Sequence, residues 1–256
     1  QSLDGDAQLV WENQTAGYLF NPMISPDGER ILAMHVISNA NAPLIEVDQN
    51  AGEARVVTGE AANVQYRYPS YLDDGETALV LTDNDSDFMY VARLNLNSGA
   101  LEPVVQHEWD IESFKLAHDQ TFIVYTVNVD GDFHLYKRHL ATGESVQMPP
   151  SSVAGVLVNL MLTPDDRKVL FSASYATRSY DIYLWDLGTD SVRPLTQSSH
   201  AGIPTETFVA PDLIHYPSFD QDESGETRQI PAWVYRPQQA EDEKLPVVLV
   251  VHGGPE

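Results

Sequence analysis

The sequence predicts an all-β fold, a β-propeller of four-stranded blades, on three observations. A four-residue motif recurs four times at a nearly constant step. Each copy is followed by apolar segments of strand length separated by turn residues. The step is in the forties, the length that four short strands and their turns require.

The first strand pair of each blade is marked by the motif itself. Ser25-Pro26-Asp27-Gly28 recurs as Leu72-Asp73-Asp74-Gly75, Ala117-His118-Asp119-Gln120 and Thr163-Pro164-Asp165-Asp166, with Asp in third place at steps of 47, 45 and 46. An apolar residue precedes each Asp by three (Ile24, Tyr71, Leu116, Leu162), and Ile31-Leu32, Ala78-Leu79, Ile123-Val124 and Val169-Leu170 follow it. Proline fixes φ, and an Asp side chain bonds the backbone two residues on, so the motif is a tight turn between two strands. A residue repeated in every blade serves the turn, and these four Asp residues are read as structural.

The third strands are the apolar runs Leu44 to Val47, Met89 to Leu94, Leu135 to Leu140 and Ile182 to Leu187. They end in the turns Asn50-Ala51-Gly52, Asn97-Ser98-Gly99, Ala141-Thr142-Gly143 and Gly188-Thr189-Asp190. Fourth strands come next, such as Ala54 to Val57 and Leu101 to Val105. Residues 1–10 fit the end of a further blade: Leu3-Asp4-Gly5-Asp6 precedes Ala7 to Val10, and Gly5 lies 47 before Gly52. The frame therefore places Gln1 inside a blade and predicts chain upstream of it.

Composition limits what such a fold can bind. The 256 residues carry 14 Lys+Arg against 38 Asp+Glu, a net charge of −24, and only four residues are Lys. Binding a phosphate backbone needs clustered cations, so nucleic acid is excluded as a main partner, and an anionic membrane surface would repel the chain. With no cysteine, disulfides, thiolate metal sites and Cys nucleophiles are excluded; this fits cytoplasm and periplasm equally. No apolar run approaches a membrane span.

The repeat stops near residue 200. Ala210-Pro211-Asp212 falls on the next step, but the residues after it do not have the pattern of a blade. Leu213 to Phe219 and Gln229 to Arg236 read as strands around a polar turn, Pro237 to Lys244 as a charged loop. Leu245 to Val251 reads as a strand buried on both faces, ending in His252-Gly253-Gly254-Pro255. The domain boundary is accordingly placed between residues 207 and 208.

Three stretches here carry a family resemblance: Tyr216-Pro217-Ser218-Phe219-Asp220, Ile230-Pro231-Ala232-Trp233-Val234-Tyr235-Arg236-Pro237, and Pro246 through Pro255. The segment resembles the opening of the α/β-hydrolase domain in the prolyl oligopeptidase family of serine peptidases. It is most similar to the acylaminoacyl-peptidase and dipeptidyl-peptidase branches, which carry His-Gly-Gly-Pro at that place. The blades resemble the propeller that precedes this domain, so the resemblance covers essentially the whole chain; by itself, the blade motif is shared with TolB-like propellers.

The resemblance implies a hydrolase acting on short peptides that the propeller admits to the active site, with no metal or organic cofactor. Gly254 would give one oxyanion-hole N–H while His252, Gly253 and Pro255 shape the turn, since a glycine-rich strand end lets backbone amides approach a developing oxyanion. The family's nucleophile elbow, triad Asp and triad His lie downstream of this point, and no Gly-x-Ser-x-Gly occurs in these residues. The 256-residue chain is therefore expected to be inactive alone. Exported enzymes are common in the family, which tilts the compartment toward the periplasm; oligomeric state is left open. The alternative function is a non-catalytic TolB-like propeller acting as a protein-binding scaffold.

Other candidates are weaker. Asp83-Asn84-Asp85-Ser86-Asp87 resembles the start of a calcium loop, but Phe88 and Leu94 replace its glycine and closing Glu, so it is read as an inter-strand loop. Trp109, Trp185 and Trp233 are read as core, and His134 and His139 as half-buried or solvated. Tyr66-Arg67-Tyr68 is placed just before a first strand, where Arg67 could hold a peptide terminus.

Overall fold

The computed structural model describes residues 8–59, 63–149, 153, 155–221, 224–237, 244–251 and 253. Four antiparallel four-stranded sheets succeed one another along the chain, each a simple meander. The first holds β1 (Tyr18–Ile24), β2 (Arg30–Val36), β3 (Leu44–Asp48) and β4 (Glu53–Val56). The second holds β5 (Tyr66–Tyr71), β6 (Thr77–Thr82), β7 (Tyr90–Asn95) and β8 (Leu101–Val105). The third holds β9 (Ile111–Leu116), β10 (Phe122–Val129), β11 (Asp132–His139) and β12 (Ser145–Gln147). The fourth holds β13 (Val156–Leu162), β14 (Lys168–Tyr175), β15 (Arg178–Asp186) and β16 (Ser191–Pro194). A short 3-10 turn at Thr205–Thr207 leads to a hairpin of β17 (Asp212–Gln221) and β18 (Thr227–Val234).

The first strands touch in series, β1 with β5, β5 with β9 and β9 with β13, as blades set around a common axis require. Core side chains fill the spaces between successive sheets. In β6, Ala78 and Val80 pack toward the first sheet while Leu79 and Leu81 pack toward the third. In β10, Ile123 and Tyr125 face the second sheet and Phe122 and Val124 the fourth. A strand buried on both faces has no polar alternation, which is why these segments read as unbroken apolar runs. Trp185 belongs to this core and donates its indole N–H to Asp190 Oδ1 (2.8 Å). Trp109 and Trp233 do not; both are exposed, contrary to the sequence reading.

All four motif turns have the predicted mechanics. In each, the fourth residue donates its N–H to the first residue's carbonyl, at 2.9 to 3.0 Å. Each Asp carboxylate accepts the N–H two residues on, from Glu29, Glu76, Thr121 and Arg167. The fourth place has positive φ throughout: Gly28, Gly75, Gln120 and Asp166. A side chain is strained there, and the two non-glycine residues hold their places by bonding a neighbouring blade. Gln120 and Asp73 exchange two hydrogen bonds, and Asp166 accepts from Asp119 N–H while lying 2.7 Å from His118 Nδ1.

These bonds set the acid response. The Ser25 hydroxyl holds Asp27, and the Thr163 hydroxyl holds Asp165, below the usual carboxylate range. Burial pushes Asp74 up, but its Thr77 and Glu76 hydrogen bonds outweigh this and hold it low. A carboxylate depressed in the folded state adds stability above its unfolded pKa of about 3.9, lost as pH falls through the lower folded value. Asp74→Asn is thus expected to be less stable than the parent at pH 7, with the gap closing as pH falls below about 4. Urea midpoints measured against pH read this directly; parallel curves would refute it.

Two sequence expectations are corrected here. Leu245 to Val251 forms no strand among the described residues, and Val247–Val251 is 75–92% exposed. An apolar run becomes a buried strand only when neighbouring strands supply its ladder bonds, and none of the described residues does. Tyr66-Arg67-Tyr68 does not precede the strand; it forms the start of β5, which opens at Tyr66. Of the fragment assigned to a preceding blade, residues 1–7 lie outside the described residues, and residues 8–10 form no strand. Even so, Val10 keeps the repeat's place: its carbonyl sits 3.2 Å from a Cβ built on Gly52, as Val57 O sits 3.4 Å from one on Gly99.

Candidate functional site

A meander puts the first-to-second strand turns at one end of the array and the second-to-third turns at the other. The Asp motifs occupy the first end. The second end carries the Ser38–Asn41 bridge, the Asp83 loop and the Asp130-Gly131 turn. The β17–β18 hairpin meets this second end. His215 Nε2 lies 3.0 Å from Asp130 Oδ2, and the Trp233 indole nitrogen is 3.0 Å from where a Gly131 Cβ would be. Gly131 has φ +88 and allows that approach because it has no side chain.

The same end holds a cleft of about 320 Å³ between the first two blades, lined in part by Tyr18, Phe20, Met34, Asn39, Arg67 and Tyr68. Arg67 stands in its wall. Its Nε–H donates to Gln65 Oε1 (2.9 Å), as does Nη2. The Gln65 N–H is in turn bonded to Asp83 Oδ1 (2.8 Å). No carboxylate pairs with Arg67 among the described residues. The wall is rigid, because Ala42 N–H bonds Val64 O and Tyr66 N–H bonds Ala42 O across the two blades.

Beside Arg67, Tyr68 has φ +52 at a break in the β5–β6 register. Asn21 and Asn159 take the same conformation at the matching breaks of the first and fourth blades. Asparagine tolerates that region, whereas a tyrosine held there stores strain of about 1–3 kcal/mol. Sequence reasoning did not foresee these bulges; the signal was the 47-residue step from Asn21 to Tyr68.

Of the predicted oxyanion turn, Gly253 alone falls among the described residues. His252, Gly254 and Pro255 lie outside the described residues. Gly253 is described; a Cβ there would meet open space, so neither crowding nor backbone conformation demands glycine at that position. The Asp83 loop is a hydrogen-bonded connection between β6 and β7: Ser86 N–H bonds Asp83 O (3.1 Å) and Asn84 Nδ2 bonds Asp85 Oδ2 (2.8 Å). Among the described residues no three His, Asp or Glu are grouped to hold a metal. No described helix is long and apolar enough to cross a membrane.

Four meander blades with a hairpin set on one end define a propeller-type scaffold. No protein-family model matches the chain, and no curated protein matches it. Solved structures do match. A puromycin-hydrolyzing peptidase from Mycobacterium tuberculosis superposes with a TM-score of 0.73 at 15% identity, over 91% of this chain and 36% of its own. A structure from work on two prolyl endopeptidases gives 0.66 at 15% identity, over 87% and 31%. TolB from Acinetobacter baumannii gives 0.57 at 14% identity, over 84% and 55%. These likenesses show the fold, and the chain spans about a third of the length of the peptidases it matches.

Proposed function

We propose that this chain is the propeller portion, residues 1–207, and the opening of the hydrolase domain, residues 208–256, of a serine peptidase that cleaves short peptides. The observation that carries this reading is the placement of the β17–β18 hairpin on the same end as the Arg67 cleft. A hydrolase domain continuing from the hairpin would stand over that end, and peptides would meet the cleft before the nucleophile. His252-Gly253-Gly254-Pro255 would supply the oxyanion turn, with Gly254 N–H as one donor. The triad Ser, Asp and His would come from downstream sequence, the Ser attacking the carbonyl while His carries the proton. The likeness to peptidase structures supports the reading.

In this arrangement Arg67 is a substrate-binding residue, held by Gln65 through Nε and Nη2, that receives a peptide carboxylate at its remaining N–H groups by charge-assisted hydrogen bonding. Labelling with a fluorophosphonate, applied to the protein encoded by the complete reading frame, tests the class. One serine in a Gly-x-Ser-x-Gly is expected to react. An unreactive protein would favour the second reading, a TolB-like binding scaffold, which the TolB likeness supports. In the reactive protein, Arg67→Gln is expected to raise KM about tenfold for peptides with a free C-terminus. Little change is expected for C-terminally amidated peptides or in kcat. Equal effects on both substrates would exclude the carboxylate role.

A further inference from the structure

At the opposite end, between the second and third blades, lies another cleft of about 320 Å³. It is lined by Leu72, Arg93, Gln120, Thr121, His139, Leu140 and Ala141, and two of these residues break the repeat. In the first, second and fourth blades the third strand ends in Asp48, Asn95 and Asp186. The Oδ1 of each accepts two N–H groups of the adjoining turn, from Asn50 and Ala51, Asn97 and Ser98, and Gly188 and Thr189. The third blade has His139 in that place. Its carbonyl still takes the Gly143 N–H (2.9 Å), as Asp48 O takes that of Gly52 (2.9 Å). Its ring caps nothing, and Nδ1 is enclosed without a partner.

Arg93 departs from the repeat in a second way. It stands where the first blade has Glu46, and the residue paired with it across the ladder is Glu102, where the first blade has Arg55. The charges are reversed, but the outcome differs. Glu46 is bonded by Arg30, Arg55 and Tyr71. Arg93 forms no ion pair or hydrogen bond among the described residues, and its Nε is enclosed without an acceptor. Three neighbouring acids are engaged on their own turns: Asp73 with Gln120, Asp74 with Thr77 and Glu76, Asp119 with Thr121. Arg93 adds to the field that holds Asp74 low, and Glu102 makes no hydrogen bond or ion pair with Arg93. A guanidinium and an imidazole, both unbonded, thus share one cleft with the apolar side chains of Leu72, Leu140 and Ala141.

We propose that this cleft binds a short aliphatic monocarboxylate. The ligand's carboxylate would bond the Arg93 guanidinium on its cleft side, with His139 beside it, and its tail would lie on Leu72 and Leu140. Buried polar groups without partners are rare in native proteins, and an unseen ligand is one reason for them. A fork of guanidinium donors fits a carboxylate. In a chain of net charge −24, a single negative charge meets less repulsion than a phosphate dianion.

Titration of the protein with butyrate, followed by NMR, is the test, with phosphate and butylamine as comparison probes. Butyrate is expected to shift the Leu72, Leu140 and Ala141 methyl signals with a Kd of about a millimolar. Phosphate should bind more weakly and butylamine not at all. Arg93→Gln should weaken butyrate binding about tenfold, and His139→Phe should weaken it severalfold while leaving the thermal midpoint close to the parent's. Absence of butyrate shifts would mean that water alone fills the cleft, and would overturn the proposal. So would equal binding of butylamine, or affinities unchanged in both variants.

Discussion

Replacing Glu46 with glutamine is expected to destabilise the protein by about 2–4 kcal/mol. Glu46 is 4% exposed and sits in β3, in the middle of an apolar run. Its carboxylate accepts from Arg30 Nη1 (3.2 Å), Arg55 Nε (3.0 Å) and the Tyr71 hydroxyl (2.9 Å). Arg55 also donates to Leu96 O (3.0 Å), so the cluster ties three strands of the first blade to the second. Burial, then the bond to Glu46, raises the Tyr71 hydroxyl's pKa, which keeps it a donor. Losing one member of a buried ion cluster leaves the others uncompensated, at about 3–5 kcal/mol. Here Arg30 and Arg55 retain part of their surface in water, which lowers the cost. Denaturant midpoints measure the loss. A change below about 0.5 kcal/mol, the size of a neutral surface substitution, would show that the cluster does not hold the blades together.

Gly155→Ala is expected to cost about 2–5 kcal/mol, from left-handed strain and a steric clash together. Gly155 has φ +102, and a Cβ there would lie 2.1 Å from Ser174 O. The backbone cannot easily retreat. Gly155 N–H bonds Asp132 Oδ1 (2.7 Å) and Gly155 O receives Phe133 N–H (3.0 Å), both from the preceding blade. Gly225→Ala is the control, since Gly225 has φ +84 with nothing near its Cβ direction. It should cost only about 1–2 kcal/mol. Equal losses in the two variants would show that the clash contributes nothing. Gly17, before β1, repeats the feature: φ +98, with a Cβ 2.4 Å from Val36 O. The two glycines are 138 residues apart, three steps of 46, so the repeat extends to this position as well.

How much was legible depended on the range of the interaction. The Asp motif is local: proline, Asp and the residue at positive φ act within five residues, so the turn and the strands on each side could be read at every copy. The strands Leu101–Val105 and Leu44–Asp48 arise from apolar runs bounded by turn residues. The candidate site was far less legible. Arg67 could be singled out as a cation, but its support by Gln65 and Asp83 joins residues on different strands. His139 could be described only as near a strand; that it replaces a turn cap emerges once the four third strands are aligned in space. Trp109 and Trp233 show the same limit, since hydrophobicity gives the tendency to be buried but not what arrives to cover the ring.

By itself the sequence determined the repeat, its four-strand unit, the turn chemistry and an acidic surface unsuited to phosphate backbones, because each of these is set by neighbours along the chain or by composition. Tertiary structure alone decided which end the hairpin occupies, which charged groups found partners between blades and which did not. It also decided that Leu245 to Val251, apolar throughout except for Pro246, stays unpaired among the described residues. A strand's ladder bonds and a charge's counter-ion both come from segments distant in sequence, and only packing determines which of them are within reach.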